Sequence, residues 1–401
     1  MSPLSQYLAV TASYWAFTIT DGALRMLVVL YFHNLGYSPI EIASLFLFYE
    51  FFGIITNLFG GWLGARVGLN KTMHLGMLMQ SIALGMLCVP PSYLNVPYVM
   101  LVQAISGIAK DFSKMSAKSS LKVLVPQDQE DRLYKWVALL TGSKNALKGA
   151  GFFIGSILLG TVGFRSALLC LMAGLFTVFL LSVIFLKNEI GKGKNKPKFK
   201  DLFSKSRSIN LLAIARFLLF GSRDIWFVIA LPVFLQAQLK WGHADVGSFM
   251  AVWIIFYGII QAISPKITGT KSSKKPNQSS LYKWCLILAI IPLFISYLIP
   301  NLPNPGITLV VGLIIFGGVF AINSSLHSYF ILYFADRENT SMDVGFYYMA
   351  NAGGRLVGTI LSGLLFQQYG LDMCLYFSTG FLVSASFFAW LLCFNQSQQN
   401  K

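Results

Sequence analysis

The sequence predicts an all-α membrane protein with twelve transmembrane helices arranged as two six-helix bundles, and three observations predict it. The 401 residues are 55% hydrophobic and only 11% charged, with a mean hydropathy of +0.64, too apolar for a soluble domain of this size. Apolar windows of about 20 residues, the length a helix needs to cross the hydrocarbon core, recur from end to end. The one long polar interruption, "KNEIGKGKNKPKFKDLFSKSRS" at 187–208, is rich in Lys, Gly and Ser and reads as a linker.

The first six spans are expected near 7–33, 39–64, 72–91, 96–117, 134–160 and 165–187. Breaks between them carry turn chemistry, as in "NLGYSP" at 34–39 and "PPSYLNVP" at 90–97. The opening "MSPLSQYLAV" lacks a basic n-region and a small-residue cleavage site, so the first helix is expected to be retained as a signal anchor. After the linker, six more spans are expected near 209–238, 244–265, 282–300, 306–334, 342–368 and 372–394. The predicted organisation is therefore an N-terminal bundle over 1–187, a basic linker over 188–208 and a C-terminal bundle over 209–401.

Short strings repeat between the halves. "FFGIIT" at 51–56 matches "FYGIIQ" at 256–261, "IEIAS" at 40–44 matches "ADVGS" at 244–248, and "GSILLG" at 155–160 matches "GTILSG" at 358–363. The offsets of 203 to 205 fall at equivalent places in two six-span halves. Parallel repeats of this kind belong to two-bundle transporters that hold their substrate near mid-depth.

The formal charge of +16 is explained by loop topology rather than by nucleic acid. Of the 31 Lys and Arg, Arg165 and Lys240 fall on one side, whereas 21, including eight from Lys187 to Arg207, fall on the other. Basic loops stay in the cytoplasm, so both termini and the linker are expected there.

Eight basic residues remain in or close to the spans: Arg25, Lys110, Lys114, Lys144, Lys148, Arg216, Arg223 and Arg355. Only Asp21, Glu50, Asp111 and Asp224 stand against them. At about 2.5 to 3.5 kcal/mol per charge at a helix centre, eight unbalanced cations would cost on the order of 20 kcal/mol. They must face a wet cavity, pair, or bind an anion that supplies the missing charge.

Lys144, Lys148 and Arg355 fall near the bilayer middle, on the spans that carry the third repeat. Lys110, Lys114, Lys118 and Lys122 recur every fourth residue and so form one slowly winding stripe. The inner two are expected to line the cavity; Lys118 and Lys122 read as a solvated or snorkelling helix end and an electropositive approach.

The substrate-binding candidates are thus Lys144, Lys148 and Arg355, with Lys110, Lys114, Arg223 and Arg25 beside them. Asp21 and Glu50 are candidates for exchanging a proton, although Asp21 and Arg25, four apart, equally suit a simple salt bridge. Arg223 and Asp224 are sequence neighbours that point in different directions, so adjacency alone does not pair them.

The five cysteines lie in apolar runs without ligand spacing, and His33, His74, His243 and His327 are scattered. With no phosphate-binding loop and no nucleophile, base or metal set, neither catalytic residues, a metal nor a cofactor is expected. A multispan enzyme or signalling protein is the weaker reading.

Two sets of motifs carry a resemblance. The segment "GWLGARVGLNK" at 61–71 resembles the G-x-L-a-D-r-x-G-r-r/k loop after the second helix of the major facilitator superfamily, with Gly61, Leu63, Arg66, Gly68 and Lys71 in register. Gly61, Arg66, Gly68 and Lys71 are its candidate gating residues, and Ala65 replaces the usual Asp that would form a conformational ion pair.

The segments "SYWAFTITDGALRMLVVLYFHNLGYSP" (13–39), "SGIAKDFSKMSAKSSLK" (106–122) and "TGSKNALKGAGFF" (141–153) are similar to organoarsenical-efflux permeases of the ArsJ type. That resemblance implies a bacterial inner-membrane exporter of 1-arseno-3-phosphoglycerate, paired functionally with a glyceraldehyde-3-phosphate dehydrogenase that makes the substrate, and hence arsenate resistance. The residues themselves point to a small polyanionic substrate; an organic-phosphate or phosphoglycerate antiporter without arsenic specificity is the alternative.

Overall fold

The computed structural model describes residues 3–37, 39–125, 130–186, 190–192, 206–268, 276–336 and 340–399. Most of the predicted linker, with Arg337, Lys271, Lys274 and Lys275, lies outside the described residues.

Every regular element among the described residues is helical. The helices are α1 Pro3–Asn34, α2 Pro39–Ser44, α3 Leu47–Val67, α4 Leu69–Met86, α5 Val96–Leu124, α6 Glu130–Phe185, α7 Arg207–Phe227, α8 Ala230–Ala237, α9 His243–Ile267, α10 Ser279–Leu298, α11 Pro305–Phe334 and α12 Thr340–Gln399. Seven helical stretches among the described residues are long and apolar enough to cross a membrane.

Two of these stretches, Leu133–Phe185 of 53 residues and Thr340–Phe394 of 55, are about 80 Å long at 1.5 Å per residue, over twice the hydrocarbon thickness. Each is broken by one glycine outside helical geometry, Gly163 at φ 76°, ψ 173° and Gly370 at φ 79°, ψ −170°. Positive φ suits glycine and interrupts the hydrogen-bond ladder, so each stretch supplies two of the expected spans. The second and seventh expected spans are instead split, into α2 with α3 and α7 with α8.

Helix ends follow local chemistry. Asn95 caps α5 by accepting from the Tyr98 amide at 3.0 Å, with Pro97 in the first turn, where its missing N–H costs nothing. Ser206 caps α7 through the Ile209 amide at 3.3 Å. Gly68, at φ 105°, links α3 directly to α4.

The chain forms two compact units. One contains residues 1–129, 143–204 and 335–349; the other contains 130–142, 205–334 and 350–401. The first segments of α6 and α12 thus belong to a different unit from the rest of their helices.

In the first unit, α1 and α6 approach along Gly22, Gly151 and Gly155, where an added Cβ would meet the backbone of Lys148, Ile19 and Ala23. Small residues drive helix association in lipid, where no hydrophobic term exists between helices. This seam sets Asp21 and Arg25 beside the α6 lysines. Gly107 of α5 likewise lies against the Tyr49 backbone on α3.

The second unit is built on an aromatic core in which Trp226 meets Trp253 and Phe316 edge-on. Outward residues such as Ile157, Phe153, Phe294 and Trp390 are exposed large hydrophobics, as lipid contact requires.

Candidate functional site

In the first unit, α1, α3, α5 and α6 bring together six cations, Arg25, Lys110, Lys114, Lys118, Lys144 and Lys148, and three carboxylates, Asp21, Glu50 and Asp111. Asp21 is 5% exposed and accepts from the Tyr49 hydroxyl at 2.6 Å, while Lys148 Nζ stands 3.9 Å from its other oxygen. Arg25 donates to Glu50 at 3.2 Å and lies over the rings of Phe46 and Tyr49. Lys114 pairs with Asp111 one turn back on α5.

Lys110 Nζ sits 3.8 Å above the Tyr49 ring centroid, a cation–π contact on the same tyrosine that holds Asp21. Among the described residues, Lys144 has no hydrogen bond or ion pair. Lys148, Lys118, Lys114 and Lys110 all act on it, each of its own sign.

Two of the sequence expectations are corrected by these contacts. Asp21 and Arg25 do not pair with each other, because Asp21 faces Lys148 and Tyr49 whereas Arg25 reaches Glu50. Glu50, without a base nearby in sequence, has one across the helix pair. Lys118 is no solvated helix end: α5 continues to Leu124, so Lys118 lies inside the helix, 6% exposed, and donates to the Tyr348 hydroxyl.

The second unit carries Arg223 and Arg355 on Asp224, which is fully buried, and Arg216, which shares the Phe220 ring with Arg223. Arg223 Nε donates to Asp224 at 2.7 Å and Arg355 Nε donates to its other oxygen at 3.0 Å. The flexible Arg223 side chain bends back to its neighbour, so this adjacent pair does form. Arg216 is 3% exposed, stacks on Phe220 with its guanidinium carbon 3.8 Å from the ring centroid, and donates to Asn351 at 2.9 Å and to the Ser324 carbonyl at 3.2 Å. Gly354 and Gly358 bring α12 onto the α7 backbone beside these groups.

Tyr49, Tyr348 and Asp224 were not among the candidate residues read from the sequence. A signal was present for Asp224: it follows Asp21 by 203 residues, the same offset that relates Gly151 and Gly155 to Gly354 and Gly358. For the tyrosines there was none, since a membrane tyrosine reads equally well as packing.

The profile of the Major Facilitator Superfamily matches residues 7–337 of this sequence. The chain belongs to the major facilitator superfamily. It is accordingly a multi-pass membrane protein and a secondary transporter, not an enzyme, with the twelve-helix plan of that superfamily.

Solved superfamily structures share the fold at low identity. The human organic anion transporter MFSD10 (TETRAN) superimposes with a TM-score of 0.75 at 14% identity, over 96% of this chain and 99% of that one. The E. coli fucose:proton symporter FucP gives 0.73 at 11%, over 98% and 99%, and the proton:xylose symporter XylE gives 0.76 at 13%, over 97% and 96%. No curated protein matches the sequence significantly.

The superfamily loop after the second span has a local variation. Gly61 lies against the Ser341 carbonyl and Gly345 of α12, Arg66 is exposed with its guanidinium carbon 5.0 Å from the Trp62 ring centroid, Gly68 makes the turn, and Lys71 is exposed on α4. Ala65, where the superfamily loop usually has Asp, is fully buried in an apolar cluster with Leu58 and Met342, flanked by Trp62, Phe346 and Met349. Apolar packing thus occupies the position of the usual ion pair.

Proposed function

We propose that this superfamily transporter exports a small polyanionic metabolite, with 1-arseno-3-phosphoglycerate as the substrate, and thereby confers arsenate resistance. The observation that carries the anionic part is Lys144, set among four other lysines in a cluster where cations outnumber carboxylates six to three. Like charges held together repel, and an entering oxyanion relieves that repulsion while accepting charge-assisted hydrogen bonds.

In this reading Lys144 and Lys148 of the first unit are ligands of an anionic group, with Lys110, Lys114 and Arg25 shaping the field around them, and Arg355, with Arg223 beside it, is the candidate ligand that the second unit contributes. Arg355 grips an oxyanion through a planar fork, whereas the lysines act as compact point charges. The arsenic specificity and the partnership with a glyceraldehyde-3-phosphate dehydrogenase rest on the sequence resemblance, because arsenate and phosphate esters present the same charge pattern.

Both termini and the 188–208 linker are read as cytoplasmic from the 21 to 2 distribution of basic residues in the sequence, and the bacterial inner membrane follows from the sequence resemblance. Gly61, Arg66, Gly68 and Lys71 form the gating loop, and Asp21 or Glu50 exchanges the proton that couples efflux. Export of an anion from a cell negative inside is already favoured by about 2.3 kcal/mol per charge per 100 mV, so coupling adds to an existing drive.

Uptake of enzymatically made arseno-phosphoglycerate into everted vesicles, with 3-phosphoglycerate as competitor, tests the reading. Saturable uptake that 3-phosphoglycerate inhibits only weakly supports it. Equal transport of both esters makes the protein an organic-phosphate antiporter, and uptake of neither removes the polyanion reading.

A further inference from the structure

The Lys118 side chain is buried within the helix bundle of the first unit, where its ammonium donates to the Tyr348 hydroxyl. The same ring gathers two cations: Lys118 Nζ lies 4.6 Å and Lys114 Nζ 4.9 Å from its centroid. Tyr348 is itself 3% exposed and lies on the first segment of α12.

That segment is seated on α3 by uncharged packing, through the Gly61–Gly345 approach and the cluster of Leu58, Ala65 and Met342. One neutral side chain therefore touches two members of the lysine stripe, Lys118 through its hydroxyl and Lys114, which also pairs with Asp111, through its ring; both lysines also act on Lys144.

We infer that Tyr348 is a removable latch over a second anion subsite formed by Lys114 and Lys118. The inference rests on the polyanion reading above and extends it by assigning a ligand role to Lys118 and a competing role to Tyr348. The negative face of an aromatic ring attracts an ammonium, and a phenol oxygen adds one hydrogen bond to a charged donor.

An oxyanion bridging the same two ammoniums makes charge-assisted bonds to both, roughly twice as strong as neutral ones. The ring thus covers Lys118 and the face of Lys114 not taken by Asp111, and it is weak enough for an oxyanion to displace. Lifting the α12 segment off α3 and α5 removes the ring and uncovers the subsite next to Lys144. The packing of Ala65 against Met342 suits this motion, since separating apolar surfaces strands no buried charge.

The test uses the purified full-length protein, with equilibrium binding of labelled 3-phosphoglycerate and hydrogen exchange of residues 340–348 by mass spectrometry. Tyr348→Phe keeps the ring but removes the hydroxyl, so the segment should exchange faster. Because apparent affinity scales with the fraction of protein in the open form, binding should tighten about fivefold. Met342→Ala loosens the same segment without touching either lysine and should also tighten binding.

Lys118→Gln loosens the segment too, yet should weaken binding about tenfold because it removes a ligand. Opposite signs for Tyr348→Phe and Lys118→Gln are the signature of a latch over a subsite. Binding that weakens or stays unchanged in both Tyr348→Phe and Met342→Ala overturns the inference. If the wild-type protein binds neither 3-phosphoglycerate nor arseno-phosphoglycerate, the polyanion reading fails separately. The latch is then judged by exchange alone: faster exchange at 340–348 in Tyr348→Phe and Lys118→Gln keeps it, and unchanged exchange removes it.

Discussion

Asp21 on α1 and Asp224 on α7 stand 203 residues apart, each buried on the first long helix of its repeat and each facing a cation from a later helix, yet their surroundings differ. Asp224 receives two guanidiniums, from Arg223 and Arg355, and the third arginine of that cluster, Arg216, donates to Asn351 and Ser324. Asp21 receives a tyrosine hydroxyl and, at 3.9 Å, one ammonium, while Lys144 stands among lysines alone. A repeated scaffold thus carries, in one unit, three arginines that each have a hydrogen-bond partner and, in the other, a lysine, Lys144, that has none among the described residues. The partners fix the arginine side chains in place, whereas Lys144 is left to meet an incoming charge.

The largest expected effect lies in the arginine cluster. Asp224→Ala removes the fully buried carboxylate that two partly buried guanidiniums share and should cost about 3 kcal/mol, visible as lost thermal stability and lost membrane abundance. Asp21→Asn leaves Tyr49 an amide oxygen to donate to, so its cost should stay at about 1 to 3 kcal/mol. Equal losses at the two aspartates would break the comparison.

Next comes Lys144→Gln, which should raise the half-saturating substrate concentration about tenfold or more, the loss of one charge-assisted contact. Its thermal stability should be unchanged or slightly higher, because the substitution removes repulsion rather than a bond. A destabilised Lys144→Gln would show that this lysine has a structural partner after all.

Arg355→Lys should be milder, impairing transport about three- to tenfold while the protein still folds, since an ammonium keeps the charge but loses the planar guanidinium whose Nε donates to Asp224. Flux in proteoliposomes at matched protein amounts measures it. The smallest effect is a difference between double-mutant cycles read by thermal unfolding. Asp21→Asn with Lys148→Gln should show about 1 kcal/mol of coupling, and Asp21→Asn with Arg25→Gln under about 0.5 kcal/mol.

The architecture was legible in the sequence because hydropathy writes span length directly, and glycines at 163 and 370 separate runs that are otherwise continuously helical. The presence of excess intramembrane cations was equally legible. Their pairing was not: Arg25 finds Glu50 25 residues away, and Arg355 finds Asp224 at a separation of 131. Helical spacing describes neighbours on one helix, whereas these contacts depend on which helices the glycine seams bring together. Lys118 was misread for a related reason, since α5 runs past the apolar window that defined the expected span.

The central claim is that the lysine cluster of the first unit is an anion-binding site, and equilibrium binding tests it most directly. Labelled 3-phosphoglycerate would be titrated against purified wild-type protein and Lys144→Gln/Lys148→Gln at several ionic strengths. The account predicts wild-type affinity that falls steadily as salt screens the cluster, and a double variant whose affinity is reduced about a hundredfold with a shallower salt dependence. Equal affinity and equal salt dependence in the two proteins would contradict it.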